Sequence, residues 1–475
     1  MDTAIAERGY YTPNDPGILA ETDSRSIQRA VDAALKTGMG RVVIPRYNKR
    51  TGKCQWDVDE AVILDSNLEI VLDNCYIRQM DGSMDNVFRN FPDDGLHRRA
   101  LAQEQHDIII RGVGNPVIDG GVGNGLTQKT SMKDGRPRIY KNNLIWLHNL
   151  RRFRLENFTL ANQRHWAINL NYCEYGRITG LNLICRNDLR NQDGLDMRVG
   201  CNNILIDGLT GRAGDDFIAL SGFLVDAERY AVEGKSSDIH DIIISNIRAT
   251  SAECTLVGMR CQDGIKIYNV TVDNVHDVMG SQESTGVSTS TLGHLYGNRY
   301  AFPWSPYAVI RIGHDDYIRH KACAPGDVHS IHISNIHARC NGVIMLNSDI
   351  ENSTFRNIYA GPEVDRIITT SACRAEHPFG VDMRNVVIEN VYWECSRREG
   401  TVAFDFVLNQ KTRTMEDVFI RDVFPGECAQ VLDMQHKGTV TLTGIHGMAV
   451  KERIRVAEGS QVLLEGEPVK PLQLQ

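Results

Sequence analysis

The chain has 475 residues, of which 42% are apolar and 24% charged. That is ordinary globular composition, long enough to bury a large core, and it excludes general disorder. A net charge of −8 disfavours nucleic acid as principal partner, and no apolar run exceeds four residues, so no membrane-spanning helix is predicted.

The N-terminal residues lack the apolar stretch of a signal peptide. A cytoplasmic protein is therefore expected, secreted only if a signal has been removed. Ile27, Ala30, Val31, Ala34 and Leu35 fall on one helical face. Asp23 or Ser24 can cap that helix and Gly38 can end it. Arg41-Val-Val-Ile-Pro45 reads as a strand. Residues of about 15–45 thus form a predicted cap, which would cover the open end of a first β coil.

A short phrase then recurs: alternating apolar residues, a turn residue (Asn, Gly or Asp), and another apolar residue. It runs through Ile108-Ile-Ile-Arg-Gly112, Phe153-Arg-Leu-Glu-Asn157, Ile178-Thr-Gly180 and Ile204-Leu-Ile-Asp-Gly208. It continues through Ile242-Ile-Ile-Ser-Asn246, Ile265-Lys-Ile-Tyr-Asn269, Ile331-His-Ile-Ser-Asn335 and Phe355-Arg-Asn357. Val386-Val-Ile-Glu-Asn390 and Val418-Phe-Ile-Arg-Asp422 close the series. The turn residues are 23 apart from 157 to 180 and from 246 to 269, 28 from 180 to 208, and 22 from 335 to 357. A period near 22–25 with no helical spacing predicts stacked β coils. The predicted fold is all-β, a single-stranded right-handed parallel β-helix forming one domain over 1–475, with a short N-terminal capping helix. The recurrent Asn suits an internal amide ladder, each side chain bonding the coils above and below. Segments 121–142 and 281–306 are rich in Gly, Ser, Thr and Asn and read as long loops beside a cleft.

The densest chemistry lies in Asn191-Gln-Asp193-Gly-Leu-Asp196 and Gly214-Asp215-Asp216. From 193 to 216 is 23 residues, one predicted coil. Carboxylates stacked about 4.8 Å apart cannot all ionise cheaply, so one becomes an acid beside a base. Glycoside cleavage needs that pair. Turn capping and a Ca²⁺ site are the alternatives these Asp residues leave open. Asp196, between Leu195 and Met197, reads as an exposed rung.

Following the same phase predicts a column of His165, Asp193, Asp216 and Glu253, in which His165 and Glu253 either touch substrate or serve only as polar rungs. Arg311, in Ala308-Val-Ile-Arg311-Ile312-Gly313, could grip a sugar carboxylate through two parallel bonds or be a solvated strand residue, and Arg260 shares that choice. His329, His332 and His337 read as surface rungs. The Gly-rich stretch from Gly121 lacks the strand-loop-helix setting of a phosphate loop. Twelve scattered cysteines, with no CxxC, form neither a zinc pattern nor a small disulfide scaffold, and buried free thiols are expected.

Over most of its length the chain resembles glycoside hydrolase family 28, the polygalacturonase-like enzymes. Thr22-Asp23-Ser-Arg-Ser-Ile27 through Val42-Val-Ile-Pro45 is similar to the family's N-terminal cap. Asn191-Gln-Asp193-Gly resembles its NTDG motif, with Gln192 for Thr, and Gly214-Asp215-Asp216 its GDD motif. The resemblance implies hydrolysis with inversion, Asp215 as general acid, Asp193 and Asp216 activating water, and no metal or organic cofactor. Asn191, His165, Glu253, Arg260 and Arg311 are the expected substrate contacts. The family's histidine motif is replaced by Glu253-Cys-Thr, and its Arg-Ile-Lys motif reads Arg311-Ile-Gly313. Loss of the lysine and gain of a carboxylate point toward a neutral, amino or differently linked sugar.

The expected partner is an oligo- or polysaccharide, uronate-containing sugars included, with no nucleic acid and no membrane, and with homo-oligomerisation left open. Two other readings use the same fold: a β-helix lyase or epimerase, and a non-catalytic carbohydrate-binding or tail-like protein.

Overall fold

The computed structural model describes residues 3–92, 103–121, 142–185, 191–252, 254–278, 308–313, 322–370, 381–396, 399–407 and 414–470. The predicted loops 121–142 and 281–306 lie outside these residues, apart from Gly121 and Asn142, and so does Glu253. The described residues fall into two compact units. One comprises those of Met1–Asp215 and Val225–Ser237, the other those of Asp216–Leu224, Asp238–Ser284 and Ser290–Gln475.

In the first unit Arg41–Pro45 pairs in parallel with Leu68–Asp73, that strand with Gln105–Val113, and so on through Ile145–Glu156, Ile168–Thr179 and Asn202–Asp207. The registers stack Val42, Ile70, Ile110, Leu155, Ile178 and Ile206 into one column of fully buried side chains. The second unit repeats the device with Ile244, Val272, Ile333, Phe355, Ile388, Ile420 and Leu442. Alternation along each strand sends every second side chain inward, and the parallel register sets like upon like. Burial of one such side chain is worth about 1.5–3 kcal/mol. Both units are therefore stacks of parallel β coils, the all-β parallel β-helix architecture expected.

The turn residues explain how a strand rounds a corner. Asn157, Gly180, Gly208, Asn246, Asn269, Asn335, Asn357, Asn390 and Asp422 all have φ between 52° and 69°. Gly, Asn and Asp tolerate this left-handed conformation best, which is why the repeat uses them. The residue five earlier is left-handed as well in several strands, as at Asp241, Asn352, Asn385 and Asp417.

Asn246 and Asn269 thus belong to different columns. Asn274 donates to Asn246 (2.6 Å), whereas Asn269 donates to Asp241 (3.1 Å). The repeat from 246 is 28 residues, and the expected 23 there mixed two corners. The amide ladder is real: Asn357 donates to Asn335 (3.0 Å) and Asn390 to Asn357 (3.1 Å). It runs along the half-buried to exposed corners, not the interior, because the inward positions are taken by Ile and Val.

The capping helix spans Asp23–Lys36 and is begun by Thr22, whose side chain accepts from the Arg25 N–H, rather than by Asp23 or Ser24. Asp23 is instead buried, holding Asn48 and Arg50. Ile27, Ala30, Val31 and Ala34 are fully buried, and Gly38 (φ 70°) ends the helix as expected. Short helices at Thr3–Arg8 and Leu224–Tyr230 carry no long apolar periodicity and were not foreseen. No described helix is long and apolar enough to cross a membrane. His329, His332 and His337 are outward rungs, and His337 stacks between His276 (4.1 Å) and Tyr359 (4.7 Å).

Candidate active site

Within the first unit, Asn191-Gln192-Asp193 leads into the strand Leu195–Met197. Its backbone is held from both sides. The Ala167 N–H donates to the Asp193 carbonyl (3.0 Å), and the Gly214 N–H donates to the Gln192 carbonyl (2.9 Å). Gln163 donates through Nε2 to the carbonyls of Gln192 (3.1 Å) and Asp193 (3.0 Å), and Gln192 returns a bond to the Gln163 carbonyl (2.7 Å). This reciprocal pair of buried amides fixes the segment that carries Asp193. The Cys185 thiol donates to Gln192 Oε1 (3.2 Å), so the residue standing where the family motif has Thr is tied on a further side.

Asp193 is 4% exposed. Asp215 is half-buried and accepts from Asn191 Nδ2 at 3.2 Å. Asn191 reaches it from a left-handed backbone (φ 56°). Two of the three predicted carboxylates thus sit on directly adjoining coils, joined by a side-chain bond and a backbone bond.

The predicted column is displaced. The pair Ile168↔Leu195 brings Trp166, not His165, level with Asp193. His165 is buried, with Nδ1 3.4 Å from Asn143 Oδ1 and its ring 4.5 Å from that of Trp166. Asp196 is also buried, contrary to the exposed rung expected. Its partner explains the burial: Arg198 lies 3.4 Å from it and donates through Nε to Asp226 at 3.0 Å. The same guanidinium lies 4.4 Å over the Trp166 ring. Burial alone would pull Arg198 down, but Asp226 and Asp196 outweigh it and hold the guanidinium above the ordinary arginine range. Alternation gave no hint of this cluster, because Arg198 and Asp226 come from different segments.

In the second unit, Asp216 is 1% exposed. It accepts from Thr255 Oγ1 at 2.8 Å, and Arg260 Nη2 closes on its other oxygen. The pair Ile218↔Val257 puts Thr255 level with Asp216, the place assigned from sequence to Glu253. Setting Glu253 over Asp216 made the coil two residues shorter than the observed register. Gly258 completes the fit: a Cβ there would stand 3.1 Å from Asp216 Oδ1. Thr255 and Gly258 are the contacts sequence reasoning missed, and counting back from the Ile218↔Val257 pair would have found the first. Arg260 was chosen from sequence as a sugar contact, but it is an ion-pair partner of Asp216.

Arg311 stands level with Gly258, one coil on. It is 3% exposed and donates through Nε to Asn347 Oδ1 (3.0 Å), which excludes the solvated strand residue as its reading. Gly313 explains why no lysine follows. Its φ is 93°, and a Cβ would fall 2.3 Å from the Ser348 nitrogen, so the neighbouring coil fills the place of any side chain.

In the first unit Asp215, a half-buried carboxylate that accepts from an amide, is a group suited to proton transfer; in the second, Asp216, committed to a hydroxyl and a guanidinium, is suited to accepting from and orienting water. Residues 98–234, which hold all three Asp, match the family described as Glycosyl hydrolases family 28. No curated protein sequence matches the chain. Among solved structures, the chain is similar to PfbA, a surface adhesin of Streptococcus pneumoniae, at 16% identity and TM-score 0.44, covering 98% of this chain and 96% of that one. It is similar to a tailspike protein mutant of E. coli bacteriophage HK620 in complex with a hexasaccharide, at 12% identity, TM-score 0.47 and coverage of 98% and 79%. It is also similar to a Yersinia enterocolitica family 28 exopolygalacturonase, at 12% identity, TM-score 0.40 and coverage of 97% and 79%.

Proposed function

We propose that the protein is a glycoside hydrolase that cleaves an oligo- or polysaccharide by carboxylate acid–base catalysis with inversion. In this reading Asp215 protonates the leaving glycosidic oxygen, and Asp193 and Asp216 take the proton of the attacking water. The observation that carries it is the direct adjacency of the two motif-bearing coils, through Asn191 to Asp215 and Gly214 to Gln192. The match of residues 98–234 to glycosyl hydrolases supports the same class. The fixed partners of Asp216 support its role as an acceptor that orients water rather than as the acid. Asn191 would set the Asp215 carboxyl. The missing lysine at Gly313 supports a substrate that is not gripped as a uronate in the family's manner.

The test is product analysis with the full-length chain. Wild type and Asp215→Asn are incubated, with chelator present, on galacturonan, rhamnogalacturonan, and neutral and amino-sugar oligosaccharides. Wild type is expected to release new reducing ends of inverted anomeric configuration, and the variant to be about 10³-fold slower. Equal turnover by both proteins would remove Asp215 from the mechanism. Binding without turnover across the panel would replace hydrolysis by a carbohydrate-binding role.

A further inference from the structure

Ten of the eleven described cysteines are buried, and two of these meet inside the second unit. Cys261 Sγ lies 2.8 Å from Cys323 Sγ, although 62 residues separate them. That is closer than two sulfurs approach without bonding. It is about 0.75 Å longer than the roughly 2.05 Å of a disulfide. Cys323 Sγ also stands 3.0 Å from the Cys261 carbonyl.

Both residues are pinned by regular structure. Cys261 ends the strand Thr255–Cys261 and faces Gly222 in the parallel register, where a Cβ on Gly222 would already touch Cys261 Cβ at 3.4 Å. The next turn is closed by the Ile265 N–H donating to the Gln262 carbonyl (2.9 Å). Cys323 precedes a turn closed twice, by the Ala324 N–H donating to Asp327 Oδ2 (2.7 Å) and the Asp327 N–H donating to the Ala324 carbonyl (3.0 Å). The Ile267 N–H donates to the Asp327 carbonyl (2.9 Å) and fastens that turn to the coil begun after Cys261. The fold itself therefore delivers the two sulfurs to one point.

We propose that Cys261 and Cys323 are a cross-linking pair, oxidised to a disulfide by a small disulfide of the glutathione class. The more accessible thiol, Cys323 (5% exposed), reacts first. It loses its proton, attacks one sulfur of the oxidant and releases one thiol. Cys261 then loses its proton, attacks Cys323 Sγ in the mixed disulfide and releases the second thiol. The protein gives up two protons and two electrons, and the oxidant becomes two thiols. The bond closes a loop of chain that includes the strand Ala308–Ile312 with Arg311, and it anchors the strand that carries Thr255 and Arg260. Nothing in this inference depends on the hydrolase reading.

The test uses the full-length chain, incubated and separately refolded with oxidised glutathione, then acid-quenched, denatured, alkylated and mapped without reduction. A linked peptide pair holding Cys261 and Cys323 is expected, two hydrogen masses lighter than the reduced pair. The thermal midpoint should rise by a few degrees relative to dithiothreitol-treated protein, and Cys323→Ser should lose that rise. Exposed Cys54 serves as the internal control by carrying a mixed disulfide. With Cys54 modified, recovery of Cys261 and Cys323 as alkylated thiols from both arms overturns the proposal. Linkage of either one to a different cysteine overturns it equally.

Discussion

Asp216 and His148 show how far a single side chain's meaning depends on what the neighbouring coil brings to it. Asp216 is one of five aspartates between positions 193 and 216, but only the coil holding Thr255 and Arg260 makes it a fixed acceptor. His148 belongs to no recognisable motif, yet it is buried, donating through Nε2 to the Tyr230 carbonyl at 2.9 Å. Phe91, Tyr172 and Tyr230 surround its ring. Burial outweighs the Tyr230 bond and lowers its pKa to about 4 from 6.5, with Lys235 adding to the shift. The unfolded chain begins to bind this proton near pH 6.5, while the folded chain refuses it until about pH 4. Nothing is lost above pH 6.5, and stability falls steadily between those limits, by about 3 kcal/mol in all. His148→Asn removes the titration. Its urea midpoint is expected to fall less than that of wild type between pH 6.5 and 4.5. Parallel curves for the two proteins would show that folded His148 takes up its proton as readily as the unfolded chain does, and that burial does not lower its pKa.

At the scale of the strand and its corner, the sequence is most readable where one conformational demand excludes nearly every residue. The left-handed corner is such a demand, and Asn157, Asn335, Asn357 and Asn390 announced it. The inward alternation of Ile and Val was legible for the same reason. The registers between strands were less so. Coil length is 22 residues between Asn335 and Asn357, 33 between Asn357 and Asn390 and 61 between Val272 and Ile333, so a fixed count drifts. That drift put Glu253 where Thr255 stands and His165 where Trp166 stands. Asp193, Asp215 and Asn191 were legible because they lie in short contiguous motifs. Thr255, Gly258 and the Arg198–Asp226 pair were not, because contacts across coils leave no local pattern. The corner itself can be tested. Asn357→Ala keeps the left-handed backbone without a tolerant side chain and breaks amide bonds to Asn335 and Asn390. A loss of about 1–3 kcal/mol is expected by urea denaturation, and Asn357→Gly, which relieves the backbone but not the amides, should lose less. Equal losses for the two variants would assign the whole cost to the hydrogen bonds.

At the scale of the whole molecule, a stack of parallel coils has a problem that neither residue nor strand shows: its outermost strands present unpaired backbone and apolar side chains. Each unit deals with one such strand. In the second unit the strand Ser460–Leu464 is followed by an antiparallel turn-back onto Glu467–Pro468. Pro468 has no N–H to offer a further strand. In the first unit Tyr11 hydrogen-bonds along Arg41–Pro45: its N–H donates to the Arg41 carbonyl (3.0 Å), and its carbonyl accepts from the Val43 N–H (2.8 Å). The helix Asp23–Lys36 then covers the apolar end, packing against the strands Arg41–Pro45, Trp56–Val58 and Val62–Ile63. If that cover is needed for a monodisperse protein, a charge on its buried face should be far worse than a change on its exposed face. Val31→Asp places a carboxylate at a fully buried position, at a cost of several kcal/mol. Asp32→Asn, one residue on and exposed, leaves the buried face untouched. Sedimentation velocity is expected to show large aggregates for Val31→Asp and the wild-type species for Asp32→Asn. A monodisperse Val31→Asp protein with an unchanged thermal midpoint would mean that the first strand is protected by the Tyr11 segment alone, and that the helix is dispensable to the stack it covers.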